Sequence, residues 1–212
     1  MKRLLLLSAA IFAAAALQAQ TMKTIKLNQP NKERGSVIMK ALSERRSVRE
    51  YSDKKLSHQD LSDLMWAANG ISSSDGKRTA PTARNDQDID VYVIMQEGAY
   101  LYVPESNELT PVAEGDFRPQ LADRQEFVNN VPVCLLIVSD YSRFKGLPEA
   151  MQKQFGALDA GMVSQNISLF CSGSGLVTVP RAYMQKDNIK KSLKLKDSQE
   201  PLLNHPVGYP KN

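Results

Sequence analysis

The stretch that most constrains this chain is residues 159–179, DAGMVSQNISLFCSGSGLVTV. Leu158, Met162 and Leu169 fall on one helical line, and Ala160, Val163, Ile167 and Phe170 fall on a second. A surface helix needs one apolar stripe, so two stripes predict a helix covered on most sides. Gly161 beside Ala160 allows another backbone to approach closely. Gly173 and Gly175 supply a C-terminal stop, after which residues 176–179 read as a short strand leading to Pro180. Such a helix needs either a large domain wrapped around it or a second subunit laid against it. At 212 residues the chain favours the subunit.

Residues 1–19 read as a leader rather than as fold. Lys2 and Arg3 precede an apolar run, 4–17, broken only by Ser8, and small Ala19 follows at the cleavage position. This is a secretory signal-peptide pattern, too short for a confident membrane span. The expectation is an exported, periplasmic protein with no stable membrane insertion after cleavage. The remainder is long enough for one substantial core, read as an N-terminal extension, 20–35, and a domain, 36–212. Losing Lys2 and Arg3 lowers the formal charge of +4 by two. With no long basic run and no zinc-finger spacing, nucleic acid is not an expected partner.

Cys134 and Cys171 both sit in apolar surroundings, and a disulfide or two buried thiols would each be consistent with that. His58 and His205 lack metal-ligand spacing, so neither a metal site nor a His-based triad is expected.

Along the chain, a short strand is read at 24–27 and a helix from Ser36. Ser57 caps the next helix, with Asp60 in the capping-box position. Leu61, Leu64, Met65 and Ala68 form its apolar face, Trp66 points elsewhere, and Asn69-Gly70 ends it. The polar connection 72–90 has the length of a functional loop. Strands follow at 89–95, 99–103 and 108–112, then a helix at 121–130. Residues 131–138 read as a strand buried on both faces. Pro148 opens the central helix, residues 184–192 form a last short helix, and the three-proline tail 201–212 is not helical. The sum is an α+β fold with a mixed, mainly antiparallel sheet flanked by helices. Gly173 and Gly175 close a helix instead of opening one, so the dinucleotide fingerprint and the triphosphate loop are absent.

Two constellations suit a ligand. Arg45, Arg46, Ser47 and Arg49 place three guanidiniums and a hydroxyl within five residues, a set that matches a phosphate or an ordinary basic surface. Pro81, Thr82, Ala83, Asn85 and Gln87 offer amide donors and acceptors, suited to a heterocycle's edge or to a plain turn-rich loop. The strand at Val177, Thr178 and Val179, with the tail as far as Lys211, is a weaker third.

The segments LSERRSVREY, PTARNDQD, VPVCLLIVSD, DAGMVSQNISLFCSGSGLVTV and HPVGYPK occur in this order. As an ordered set they resemble the nitroreductase superfamily of flavin mononucleotide (FMN) enzymes. More narrowly, the chain is similar to the short branch related to dehydrogenases that oxidise thiazoline and oxazoline rings. The resemblance implies a nitroreductase-like fold whose long central helix forms a homodimer interface, with FMN between the subunits. It implies that Arg45, Arg46, Ser47 and Arg49 hold the phosphate and ribityl chain, with Lys211 near the phosphate. It implies that Asn85 bonds the flavin ring while Gln87 and Pro81, Thr82 and Ala83 shape its surroundings, and that Val177, Thr178 and Val179 pass the ring's reactive nitrogen. It implies NADH or NADPH as donor and a small-molecule acceptor such as a nitroaromatic or quinone, in ping-pong turnover with no catalytic side chain. The alternatives are oxidation of a small heterocyclic or peptide-derived substrate, or flavin binding without turnover. Two features depart from the family pattern: the longer C-terminal arm of better-known members is missing, and the Lys–Tyr pair of the ring-oxidising enzymes has no clear counterpart.

Overall fold

The most apolar run outside the central helix, VCLLIVSD, forms strand β5 (Val133–Asp140), in which every residue is buried. A computed structural model of the chain describes residues 22–211, and the leader read at 1–19 lies outside the described residues. β5 pairs with β2 (Ile89–Ile94) on one side and with β7 (Gln199–Gly208) on the other. The sheet continues from β2 through β3 (Gly98–Val103) and β4 (Glu108–Glu114) to β1 (Ile25–Lys26). At the other edge β7 meets β6 (Val177–Thr178), which completes seven strands in the order β1-β4-β3-β2-β5-β7-β6. These pairings are all antiparallel, and a parallel bridge, Ser47–Thr178, adds a mixed element at the β6 edge.

Strand alternation sorts β5 between two cores. Val133, Leu135 and Ile137 pack with helices α2 (His58–Asn69) and α4 (Glu149–Ser174). Cys134, Leu136 and Val138 pack with residues of α3 (Arg118–Ala122) and α5 (Lys186–Ser192). Cys134 and Cys171 therefore belong to opposite faces of the sheet, and both are buried free thiols. Burial pushes the Cys134 thiol up to about 12 and raises that of Cys171 as well, which makes both inert.

The two lines of α4 have different fates. Ala160, Val163 and Ile167 are fully buried against the sheet. Leu158 and Met162 remain 53% and 47% exposed. Gly175 ends the helix with φ +78°, the left-handed stop that glycine takes without a Cβ penalty. Helix α1 (Ile38–Glu44) packs on this end of α4: the Ser36 N–H donates to Gly173 O (2.9 Å) and Ser172 Oγ to Ala41 O (2.8 Å). Its Ile38, Met39 and Leu42, with Val37 before it, are exposed. The Ser57 hydroxyl caps α2 by accepting from the Asp60 N–H (3.0 Å), and all four residues of the expected apolar face are buried. Half-buried Trp66 donates Nε1–H to Ile71 O (2.9 Å).

One local reading is corrected. The helix expected at 121–130 is α3, Arg118–Ala122, followed by a separate 3₁₀ turn, Glu126–Val128. Asp123 takes φ +51°, which breaks the helix there, and Arg181 donates to the carbonyls of Leu121 and Ala122 (3.0 Å each). The tail, read as non-helical, belongs for most of its length to the ten-residue strand β7. Asn204 exchanges both backbone bonds with Arg181 on the side away from β5 (2.7 and 2.9 Å). Pro206 shares its parity, so the missing proline N–H falls on that outer side and removes no bond to β5.

Candidate functional site

The segment after α1 is fixed at the β6 edge by backbone pairing. Arg45 leaves the helix as its C-cap. Ser47 bridges to Thr178, the Val48 N–H donates to Thr178 O (3.0 Å), and Tyr51 bridges to Pro210. Val48 is half-buried while Ser47 and Arg49 are exposed, the alternation of an extended chain. Arg45, Arg46 and Arg49 make no ion pair among the described residues, whereas nearby Glu44 faces Lys40 (3.8 Å). Arg46 folds back on its own helix end, donating to Ser43 O and Arg45 O (2.9 Å each). That leaves Arg45 and Arg49 as the free guanidiniums, and exposed Lys211 follows Pro210 at the same edge.

β6 contributes backbone more than side chains. Thr178 and Val179 are buried, and the Thr178 hydroxyl donates to Pro206 O (2.8 Å). A cavity of about 270 Å³ lies here, walled by Arg46, Val48, Ser172, Val177 and Pro210. Behind it, His205 bridges α4 and β6. Its Nδ1 is 3.3 Å from Thr178 Oγ1 and its Nε2 is 2.7 Å from Ser164 Oγ. Because Thr178 gives its only hydroxyl proton to Pro206, it accepts from Nδ1–H, and Ser164 donates to Nε2. The imidazole is thus neutral, and burial lowers its pKa to about 3. It is a structural rivet between α4 and β6.

The second group occupies the loop before β2. Arg84, Asn85 and Gln87 all have positive φ, at 58°, 57° and 49°. Each such backbone costs on the order of 1 kcal/mol or more for a non-glycine residue, and this kind of strain clusters at ligand sites. Surrounding bonds over-determine the shape. The Ala83 N–H donates to both Asp159 oxygens (3.1 and 2.9 Å), and the Gln87 N–H to Thr82 Oγ1 (2.9 Å). Arg143 donates to Gln87 O (2.7 Å) while it grips Asp90 (2.6 and 2.8 Å). The Gln87 amide is engaged by Gly76 O (3.1 Å) and Arg78 (3.3 Å), so it organises the loop. Asn85 and Pro81 are exposed at its surface, with Thr82 and Ala83 half-buried.

The three sequence-level segments thus become two groups. Arg45–Arg49, Val177–Val179 and Lys211 meet at the β6 edge, beside residues 171–175 of α4. The 81–87 loop is tied to Asp159, near the middle of that helix. At 1.5 Å per residue the two anchor points are about 20 Å apart along the axis, with exposed Leu158 and Met162 at the Asp159 end. Asp159, Arg143 and His205 went unassigned in the sequence. The signal for Asp159 was a carboxylate opening an otherwise apolar helical run.

Comparison with known proteins gives the family. The family model described as the nitroreductase family matches residues 42–209. A Methanocaldococcus jannaschii protein carrying the name nitroreductase is 31% identical over 176 residues, which cover 79% of this chain and 88% of that one. The FMN reductase [NAD(P)H] of Bacillus subtilis is 23% identical over 158 residues, and this chain spans 53% of its length. Among solved structures, a Ralstonia eutropha JMP134 protein titled as a nitroreductase superposes with a TM-score of 0.85 at 31% identity, covering 90% of this chain and 91% of that one.

Proposed function

The chain belongs to the nitroreductase family, and from that premise we propose that it is an FMN-dependent oxidoreductase working as a homodimer. In this reading NADH or NADPH reduces the cofactor, and a nitroaromatic or quinone reoxidises it. The observation that carries the reading is the split site. Free guanidiniums and the strained Asn85 loop are both ligand-ready, yet they sit at separate stations along α4, and half-exposed Leu158 and Met162 lie close to the Asp159 station. Stacking a second copy on that apolar face would bring the guanidiniums of one chain toward the Asn85 loop of the other, and would cover residues that a monomer leaves in water.

The residues present fit FMN. Arg45 and Arg49, without carboxylate partners among the described residues, suit its phosphate with Lys211 beside them, and Ser47 suits the ribityl chain. The Asn85 amide, on a loop rigid enough to hold it, suits the polar edge of the ring. The backbone of residues 177–179 suits the ring's reactive nitrogen, since the side chains of Thr178 and Val179 face inward. FMN when bound supplies the hydride chemistry. The protein's part is to hold donor and acceptor in turn against one face and to offset developing negative charge with Arg side chains and backbone N–H groups. No side chain is assigned as nucleophile or general base.

Export, read from residues 1–19, would separate the enzyme from the NAD(P)H pool. That favours a second reading, in which a small heterocyclic or peptide-derived ring, such as a thiazoline, is the reductant. One experiment tests both readings: an anaerobic absorbance spectrum of purified protein, followed as NADH, then NADPH, then a thiazoline is added. Flavin bands near ~370 and ~450 nm that bleach with a nicotinamide support the first reading. Bleaching by the ring alone supports the second, and bands that persist with every donor indicate flavin binding without turnover. Absence of flavin even after FMN is supplied contradicts all three.

A further inference from the structure

Two buried carboxyls meet beneath the 81–87 loop. Asp88 has no exposed surface and Asp159 is 5% exposed. Asp88 Oδ2 accepts from Ser139 Oγ (2.5 Å), while its Oδ1 is buried without a donor. Asp159 lies within hydrogen-bonding reach of Asp88 and receives the Ala83 N–H on both oxygens. Arg143, a cation that feels the Asp88 charge, is held by Asp90, Asp140 and Gln87 O. Tyr141 adds a phenol, and on the loop itself Arg84 faces Asp86 (3.5 Å). Among the described residues neither carboxyl forms an ion pair. Two adjacent buried carboxylates repel each other, and an acceptor without a donor is costly to bury. A single proton on Asp88, donated to Asp159, removes the repulsion and turns an unpaired acceptor group into a donor.

We propose that Asp88 and Asp159 are a positioning pair that shares one proton and through it holds residues 81–87 in the shape that receives the cofactor. The last clause rests on the FMN reading above; the shared proton does not. Burial first, and then Asp159, push the Asp88 carboxyl up to about 7, against the opposing bond from Ser139. The locked loop therefore keeps a proton that the released loop gives up near the ordinary carboxylate value of about 4. Locking is fully favoured below about pH 4, weakens by up to tenfold per pH unit as pH rises to about 7, and levels off above that.

The test combines carboxyl ¹³C shifts and hydrogen exchange at the Ala83 amide, measured on the full chain from pH 4 to 8, with FMN affinity measured alongside. The expected result is one aspartate titrating near pH 7 and an Ala83 protection factor that falls over the same window. In Asp88→Asn the amide keeps a donor for Asp159 and an acceptor for Ser139, so protection should be independent of pH. FMN affinity should follow Ala83 in the wild type and lose that dependence in the variant. Titration of every aspartate below pH 5, or an unchanged slope in Asp88→Asn, overturns the pair. Should that variant not fold, the wild-type carboxyl titration decides alone. Affinity that ignores a loosening Ala83 overturns the link to the cofactor. Failure to bind FMN at any pH contradicts the proposed function and leaves the pair to be judged by the carboxyl and amide readouts.

Discussion

Gly156→Ala is the substitution whose outcome the fold determines most sharply. Gly156 lies within α4, where alanine is ordinarily preferred to glycine by about 1 kcal/mol. A Cβ added there would lie 2.4 Å from Ser139 Oγ, 2.8 Å from Tyr141 Cε1 and 3.1 Å from Ser139 Cβ. Ser139 cannot move away freely, because its hydroxyl is hydrogen-bonded to Asp88, and β5 is paired on both sides. Overpacking of this kind costs about 1–3 kcal/mol, and a displaced Ser139–Asp88 bond adds about 1 kcal/mol. The clash outweighs the propensity gain, for a net destabilisation of about 1–3 kcal/mol. With a urea m-value of about 2 kcal/mol/M, the unfolding midpoint should fall by roughly 0.5–1.5 M at fixed protein concentration. A midpoint that is unchanged, or raised by the roughly 0.5 M that propensity alone gives, would refute the close approach of α4 to β5 that sets the acid pair under the loop.

Other perturbations follow from the same structure. Met162→Glu places an unpaired charge on the outward face of α4, and it should convert the proposed dimer to monomer in sedimentation and abolish FMN retention. Arg49→Ala removes a free guanidinium and should weaken FMN roughly ten- to hundredfold in a fluorescence titration. Arg46→Ala should change affinity little, because Arg46 already caps its own helix. Buried His205, with its pKa lowered to about 3, binds no proton in the fold, whereas the unfolded chain protonates below about 6.5. Its contribution is therefore complete above that pH and is lost as pH falls toward 3, by about 1.4 kcal/mol per unit. Asp88 has the opposite slope between about 4 and 7. His205→Gln should expose stability that falls with pH, and Asp88→Asn stability that rises, in urea midpoints measured from pH 4 to 7.

Much of the architecture was legible because its signals were local. The Ser57 cap, the Leu61–Leu64–Met65–Ala68 face, the β5 run and the Gly175 stop depend on residues a few positions apart. β7 was hidden because prolines normally argue against a strand, and only its one-sided pairing along most of its length reconciles them. The helix read at 121–130 failed at Asp123, whose positive φ follows two carbonyls held by Arg181 from across the fold. The candidate site was legible as segments, since clustered Arg and amide side chains announce ligand chemistry. Its division was not, because only the register of α4 shows that Asp159 anchors one segment and residues 171–175 the other. The same register explains the two apolar lines: one faces the sheet, and Leu158 and Met162 of the other stay about half exposed.

The measurement that tests the two-chain site most directly is FMN binding by a co-expressed mixture of Arg49→Ala and Asn85→Ala chains. Each variant alone carries the same defect in both of its sites and should bind weakly. A heterodimer restores one complete site, joining Arg49 from one chain to Asn85 from the other, and leaves the second site doubly defective. The account predicts one tightly bound FMN per heterodimer. Binding no stronger than that of either parent would contradict it and would confine each site to a single chain.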